Sequence, residues 1–272
     1  MSSVANPLLS LSGLCAEVDG IPLLQNISLQ VNAGEVLALI GPNGSGKTSL
    51  LKSIVGELKT SEGSLEFAGQ SMSQWNASQL ARRLAVLPQK SVLNFPFTGR
   101  EVVALGRTPH ATGQEVDNRI VDEVLNYLDA QYLADRLYPR LSGGEQQRIQ
   151  LARVLAQIWV PEGDKKPYSR LLLLDEPSSY FDLAHQQLLI KLVRKIANSN
   201  IAVLIVLHDI NMALSCTDRL AVMSCGQIVA CGNCKEVITP DLVRQVFSVD
   251  AAFIKDPDTG QQVINLRGIN EG

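Results

Sequence analysis

Gly41-Pro42-Asn43-Gly44-Ser45-Gly46-Lys47-Thr48 fits the phosphate-binding pattern G-x-x-x-x-G-K-[ST]. Glycines in such a loop let backbone N–H groups turn inward around phosphate oxygens. A helix starting at the loop's end adds the positive end of its dipole. The chemistry assigns Lys47 to the β and γ phosphates of a nucleotide and the Thr48 hydroxyl to Mg²⁺. A glycine-rich turn followed by a chance Lys-Thr is the plainer alternative. A strand-like run before the loop and a helical stripe after it favour the phosphate reading, which alone says nucleotide binding and no more.

Asp175 and Glu176 follow the apolar run of residues 171–174. Two carboxylates at the end of a buried strand are costly unless something cationic compensates. Beside a phosphate loop that cation is Mg²⁺, held by Asp175 largely through water. Glu176, one residue nearer the strand's C-terminal edge, is the candidate general base for a water attacking the γ phosphate. The alternative is that both acids cap the next helix, with Pro177 at its start. A third segment is Leu141-Ser142-Gly143-Gly144-Glu145-Gln146-Gln147-Arg148. At a helix start, Ser142, Gly143 and Gly144 offer an anion N–H groups, a hydroxyl and the helix dipole; an N-cap serine with flexible glycines fits the same residues. His208 follows the apolar run of residues 201–207 directly, which places it at the same sheet edge as Asp175 and Glu176. A lone histidine is more often structural, but this position makes His208, with Lys47 and Glu176, a candidate catalytic residue.

The elements that must position these groups are legible in part. Val36-Leu37-Ala38-Leu39-Ile40 is a continuous apolar run, as expected for a strand buried on both faces of a parallel sheet. Leu50, Leu51, Ile54, Val55 and Leu58 form a helical stripe behind the glycine loop. Two further strand-like runs, 171–174 and 201–207, flank a stripe of Leu188, Leu189, Leu192, Val193 and Ile196, which makes a strand–helix–strand unit. Near the start, Leu9, Leu11 and Leu14 lead to Asp19-Gly20, and Ile27, Leu29 and Val31 follow, a pattern suited to antiparallel strands. From about Gln89 to Trp159 the pattern is helical, with residues 161–169 a polar loop behind it and a small appendage beyond about Asn233. The expected fold is α/β: a P-loop NTPase (RecA-like) core with an N-terminal antiparallel β subdomain and an inserted helical lobe. The expected organisation is a nucleotide-binding domain over residues 1–242, its lobe at about 89–160, and a short C-terminal appendage over 243–272.

Composition narrows the partners. With 24 Lys and Arg against 27 Asp and Glu, the net charge is −3, which argues against nucleic acid as a partner. The longest apolar run, residues 201–207, falls far short of the ~20 residues of a spanning helix. Residues 1–7 show no secretory pattern, and five scattered cysteines suggest no disulfide framework, so the chain reads as cytosolic.

The ordered set of residues 41–48, Gln89, 141–147, 171–176, Asp182 and His208 resembles the ATP-binding subunits of ABC transporters, over about residues 8–242. Ser142 stands 33 residues before Asp175 and His208 stands 32 after Glu176, as that resemblance requires. It implies that Ser142, Gly143 and Gly144 bind the γ phosphate of ATP held on the P-loop of an opposite subunit, in a homodimer closed head to tail. It also implies that Gln89 ligates Mg²⁺ and senses a permease, that His208 holds the γ phosphate and the attacking water, and that Asp182 shapes the dimer seam. Taken alone, Gln89 is an ordinary surface glutamine. Two departures stand out. Family members usually carry an aromatic residue before the P-loop to stack on adenine, but residues 1–40 contain no Phe, Trp, Tyr or His, and Val18 stands near the expected place. The residues before Asp182 are Ser179-Tyr180-Phe181 rather than the usual Ser-Ala-Leu.

Within the family, residues 93–110, the insertion at 161–169 and Asp182-Leu183-Ala184-His185-Gln186 are most similar to the hemin importers. That similarity implies heme uptake, with ferric siderophore or cobalamin import as the alternative. The subunit would work with two membrane permease subunits and a substrate-binding protein, at the cytoplasmic face of the inner membrane. A soluble ABC ATPase acting on DNA or ribosomes would need a coiled coil, a basic surface or tandem cassettes. Phe95-Pro96-Phe97 suits either a groove for a permease helix or a buried loop anchor. Cys231 and Cys234 have metal or redox spacing but lack a second pair, and His110 and His185 read as surface residues.

Overall fold

The computed structural model describes residues 6–89, 93, 95–160, 168–178, 183–255 and 262–269. The chain opens with β1 (Leu9–Val18) and β2 (Ile21–Val31), paired antiparallel around the Asp19-Gly20 turn, where both residues take positive φ. The central strand β3 (Val36–Ile40) leads through the glycine loop into α1 (Lys47–Ile54). Next come β4 (Thr60–Phe67) and β5 (Gln70–Ser71), which join β1 and β2 in a four-stranded antiparallel sheet of order β2-β1-β4-β5.

A short α2 (Ala77–Ala81) precedes β6 (Leu84–Leu87). The helical lobe follows as α3 (Gly99–Ala104), α4 (Gln114–Tyr127) and α5 (Gly143–Ile158). The chain returns to the core through β7 (Arg170–Asp175), α6 (Leu183–Asn198), β8 (Ile201–Val206), α7 (Ile210–Cys216), β9 (Arg219–Ser224) and β10 (Gln227–Asn233). The main sheet has the order β10-β9-β3-β8-β7-β6, with β10 the antiparallel edge strand on five parallel ones. Beyond the main sheet come α8 (Cys234–Val237), α9 (Pro240–Phe247) and a separate hairpin of β11 (Val249–Lys255) and β12 (Gln262–Ile269).

The central strands read as unbroken apolar runs because both faces of the sheet are covered. Val36, Ala38 and Ile40 point into one core with α5 and α6, while Leu37 and Leu39 point into a second core beneath the antiparallel sheet and α1. β7 splits the same way, Leu172 and Leu174 on one side and Leu171 and Leu173 on the other. In the lobe, Thr98 and Glu101 form a capping box on α3. Arg107, 4% exposed, donates to Asp117 Oδ1 and to the Ala156 carbonyl, each at 2.8 Å, which ties the turn after α3 to α4 and α5.

β6 is a strand that the pattern Leu84-Ala85-Val86-Leu87 did not announce; its identity comes from parallel pairing with β7. Residues 242 and 243 lie within one helix, α9, and Val243, Val246 and Ile264 all bury into the core that α5 and α6 share. Among the described residues, no helix is long and apolar enough to cross a membrane.

Candidate functional site

The glycine loop connects the end of β3 to the first turn of α1, and its backbone conformation explains its composition. Gly41, Gly44 and Gly46 have φ of 153°, 78° and 102°. A β-carbon on Gly41 would lie 2.2 Å from the Met223 carbonyl oxygen of β9, and one on Gly46 would lie 3.0 Å from that of Leu23 on β2. At Gly44 nothing lies within 4 Å, so that glycine faces an open cleft. Pro42 and Asn43 complete the turn, and the Ser45 N–H donates back to the Pro42 carbonyl at 3.2 Å. α1 carries no acidic residue of its own in its first turn, so no carboxylate within the helix competes with an anion for its positive end.

Lys47 is 5% exposed, and its ammonium donates to the carbonyls of Gly41 and Pro42, both at 2.9 Å. Burial lowers its pKa, with the carboxylates of Glu176 and Asp175 acting against that shift. A phosphate in the cleft would offer this cation oxygens in place of those carbonyls. Thr48 Oγ1 donates to Asp175 Oδ1 at 3.3 Å, across from α1 to the end of β7. Asp175 is 5% exposed and burial raises its pKa, the mark of a carboxylate lacking a full cationic partner. One hydroxyl and one buried carboxylate beside a phosphate cleft suit Mg²⁺, which takes few protein ligands and fills its remaining positions with water and phosphate oxygens.

Glu176 sits just past β7 with φ of 48°, a left-handed conformation uncommon for a non-glycine residue. Its Oε1 lies 2.5 Å from His208 Nε2, and its Oε2 accepts from Gln89 Nε2 at 2.5 Å. His208 follows β8 and Gln89 follows β6, so the parallel sheet delivers three side chains to one C-terminal edge. Pro177 and Ser178 form a turn and not a helix, so Pro177 does not start a helix as the capping reading of Asp175 and Glu176 required. The expectation for Gln89 was Mg²⁺; here its amide is on Glu176.

The cleft itself holds about 410 Å³ and is lined by Asn43, Gly44, Gly46, Lys47, Thr48 and Glu176, with Pro22, Leu23, Gln25, Cys225 and Gly226 toward its other end. That second group was missed in the sequence. It is assembled by a long-range contact, the Gln25 N–H donating to the Gly226 carbonyl at 2.8 Å, and no local signal marks it. Among the described residues that line it none is aromatic.

Ser142, Gly143 and Gly144 do not line this cleft. Ser142 caps α5, its Oγ accepting from the Glu145 N–H at 3.3 Å while Glu145 Oε2 accepts from the Ser142 N–H at 2.8 Å. The capping reading and the anion reading thus describe one helix start, because a capping box leaves the N–H groups of Gly143 and Gly144 at the helix tip. Asp182 and residues 179–181 lie outside the described residues, as do residues 161–167 of the polar insertion.

Phe95 is 63% exposed and Phe97 half-buried, their ring centroids 5.9 Å apart. His110 is not a surface residue: it is half-buried, its Nε2 lies 2.7 Å from the Gln157 carbonyl, and burial lowers its pKa. His185, also half-buried, packs against Gly144. Cys231 Sγ accepts from Arg219 at 3.4 Å, whereas Cys234 Sγ lies 3.2 Å from Thr217 Oγ1, so the two thiols have separate partners. Among the described residues no group of three His, Cys, Asp or Glu side chains could hold a metal ion by itself.

Residues 24–179 match the family model described as ABC transporter. The chain is 45% identical over 247 residues to a hemin import ATP-binding protein HmuV of Plesiomonas shigelloides, covering 88% of this chain and 94% of that protein. It is 47% identical over 244 residues to a protein of the same name in Shewanella denitrificans, covering 89% and 94%. Among solved structures, a metal-chelate type ABC transporter in an inward-facing conformation shares the fold with a TM-score of 0.81 at 24% identity, covering 96% of this chain and 97% of that one. An ATP-binding cassette in its ADP conformation does so with a TM-score of 0.76 at 24% identity, covering 89% and 98%. The match across more than half the chain, and the relatives across most of it, establish that the chain belongs to the ABC transporter family, as an ATP-binding subunit.

Proposed function

We propose that this subunit hydrolyses ATP to drive uptake of hemin through a membrane permease, at the cytoplasmic face of the membrane. The observation that carries the chemistry is the meeting of Lys47, Thr48 and Glu176 on the wall of one cleft, with Asp175 bonded to Thr48 and with Gln89 and His208 against Glu176. The cargo rests on the extent of identity to proteins named for hemin import.

In this mechanism the N–H groups of residues 43–48 surround the β and γ phosphates of ATP. Lys47 exchanges its two loop carbonyls for phosphate oxygens. Thr48, Asp175 and Gln89 would hold Mg²⁺, which neutralises charge on the β and γ phosphates when bound. Two copies close head to tail, and Ser142, Gly143 and Gly144 of each complete the γ-phosphate site of the other, with Asp182 at the seam. Closure moves two permease subunits that receive cargo from a substrate-binding protein. Glu176 then takes a proton from a water molecule, the water oxygen bonds to the γ phosphorus, and the bridging oxygen leaves on ADP. His208 orients that water and the γ phosphate.

The test is uptake of labelled hemin and, in parallel, of ferric siderophore and cobalamin by cells lacking the subunit. Wild type is expected to restore hemin uptake and Glu176→Gln is not. Rescue confined to siderophore or cobalamin would keep the mechanism and overturn the cargo.

A further inference from the structure

Gly143 and Gly144 are adjacent at the start of α5 but are glycine for different reasons. A β-carbon on Gly143 would meet nothing within 4 Å. One on Gly144 would lie 2.8 Å from Cδ2 and 2.9 Å from Nε2 of His185, well inside the ~3.5–4.0 Å of ordinary contact. The side-chain space at Gly144 is therefore already taken by an imidazole ring.

That ring comes from a different part of the molecule. His185 stands in the first turn of α6, which packs on the main sheet, whereas Gly144 belongs to the helical lobe. Below the ring, packing between the two helices is interrupted by a small apolar cavity bordered by Leu87, Leu151, Leu188 and Leu192. Hydrogen bonds that hold the start of α5 within the lobe include the Ser142–Glu145 box, Arg136 donating to Glu145 Oε1 at 3.4 Å, and Gln146 Nε2 donating to the carbonyls of Tyr138 and Leu141 at 3.2 Å each. None of these sets the helix tip relative to the sheet. His185 reaches across from the core and bears on the tip itself.

We propose that His185 is a positioning residue: its ring, seated on Gly144, sets the angle at which the N–H groups of residues 143 and 144 face the nucleotide of the opposite subunit. The inference rests on the two-subunit ATP site proposed above. Donors at a helix start bind phosphate only when aimed correctly, and a displacement of ~1 Å in such a constellation costs about 10²-fold. Without the ring, the first turn of α5 gains room to tilt toward α6.

The experiment compares Glu176→Gln with Glu176→Gln/His185→Ala and Glu176→Gln/His185→Phe. Light scattering follows dimer formation against ATP concentration. Binding of a fluorescent ATP analogue at protein concentrations too low for dimers reports the P-loop alone. The Ala variant is expected to need about tenfold more ATP, or more, to dimerise, with monomer affinity unchanged. Phe, which keeps a ring against Gly144, is expected to restore dimerisation. Dimerisation of the Ala variant at parental ATP overturns the inference. So does a Phe variant as poor as Ala, or an Ala variant whose monomer affinity falls equally. If the Glu176→Gln parent itself does not dimerise, the two-subunit reading fails and takes this inference with it.

Discussion

His208 Nε2 lies 2.5 Å from one carboxylate oxygen of Glu176, and Gln89 Nε2 donates to the other at the same distance. Both oxygens of the proposed base therefore meet partners from neighbouring strand ends, and each oxygen keeps a second lone pair that a water can use. Glu176 is also held at a positive φ of 48°, so its direction is set by the backbone as well as by these partners. Replacing Glu176 with Gln is expected to lower ATP turnover by about 10²–10⁴-fold. Nucleotide affinity should stay close to wild type, because Lys47 and the loop amides are untouched. His208→Ala should also lose turnover. Steady-state phosphate release beside equilibrium nucleotide binding separates the two quantities, and wild-type turnover by Glu176→Gln would remove the residue from its role.

The loop glycines should differ in tolerance. At Gly41 a methyl group would collide with a backbone oxygen at 2.2 Å and would also be forced to a φ of 153°. Gly41→Ala is expected to destabilise the fold by about 3 kcal/mol or more, strain and overpacking acting together. At Gly44 the space is open and only the φ of 78° is unfavourable, so Gly44→Ala should fold with a loss of about 1–2 kcal/mol. Urea unfolding of both variants checks the order.

The strand–loop–helix around residues 36–54 was legible because its signals are local: Val36, Ala38 and Ile40 face one core, Leu37 and Leu39 the other, and the glycines sit where φ is positive. Asp175 and His208 were legible for the same reason, each ending a run whose both faces are buried. β6 was not, since four apolar residues before Pro88 become a strand only by pairing with β7. The half of the cleft built from Pro22, Leu23, Cys225 and Gly226 brings together residues some 200 positions apart, and no pattern in either segment anticipates the contact. His110 looked like a surface residue because its cover, the Gln157 carbonyl and the side chains around it, comes from α5 and from beyond α2.

That cover has a consequence in pH. Burial favours the neutral ring of His110, with Arg107 and Arg82 acting in the same direction and the Gln157 hydrogen bond and Asp117 opposing them. Its folded pKa thus lies below the ordinary ~6.5, and the unfolded chain binds the extra proton first. Its stability contribution is complete above that pH and is lost as pH falls toward the lowered folded value. His110→Gln retains an amide donor for the Gln157 carbonyl and does not titrate. The urea midpoint of wild type should therefore fall more steeply from pH 7 to pH 5 than that of His110→Gln. Parallel slopes would show that the ring does not carry this dependence.

Among the described residues the cleft offers a base no aromatic platform, and Val18, 45% exposed at the end of β1, stands near the place in the sequence where family members usually carry an aromatic residue to stack on adenine. An aliphatic side chain contacts either purine about equally, so ATP and GTP should be hydrolysed at saturation within about tenfold of each other. Val18→Tyr is expected to tighten nucleotide binding by about 0.5–1.5 kcal/mol through stacking. Competition of both nucleotides against a fluorescent analogue measures the effect. Unchanged affinity would place the base away from the hairpin.

Cys225 reports on the same cleft from its opposite wall. It is exposed at the turn between β9 and β10, whereas Cys216 is buried with its thiol pushed up to about 12, and Cys234 is buried with its thiol pKa also raised. Cys231 is exposed, but desolvation raises its thiol as well, the Arg219 contact only partly offsetting it. Brief alkylation near neutral pH should therefore modify Cys225 ahead of these three. A nucleotide seated between the glycine loop and Gly226 would cover Cys225 and leave Cys231 as it was. Saturating ATP should slow labelling of Cys225 by about tenfold or more and that of Cys231 not at all, as read by peptide mass spectrometry. Equal protection of both would indicate a global tightening, and protection of neither would place the nucleotide away from this wall.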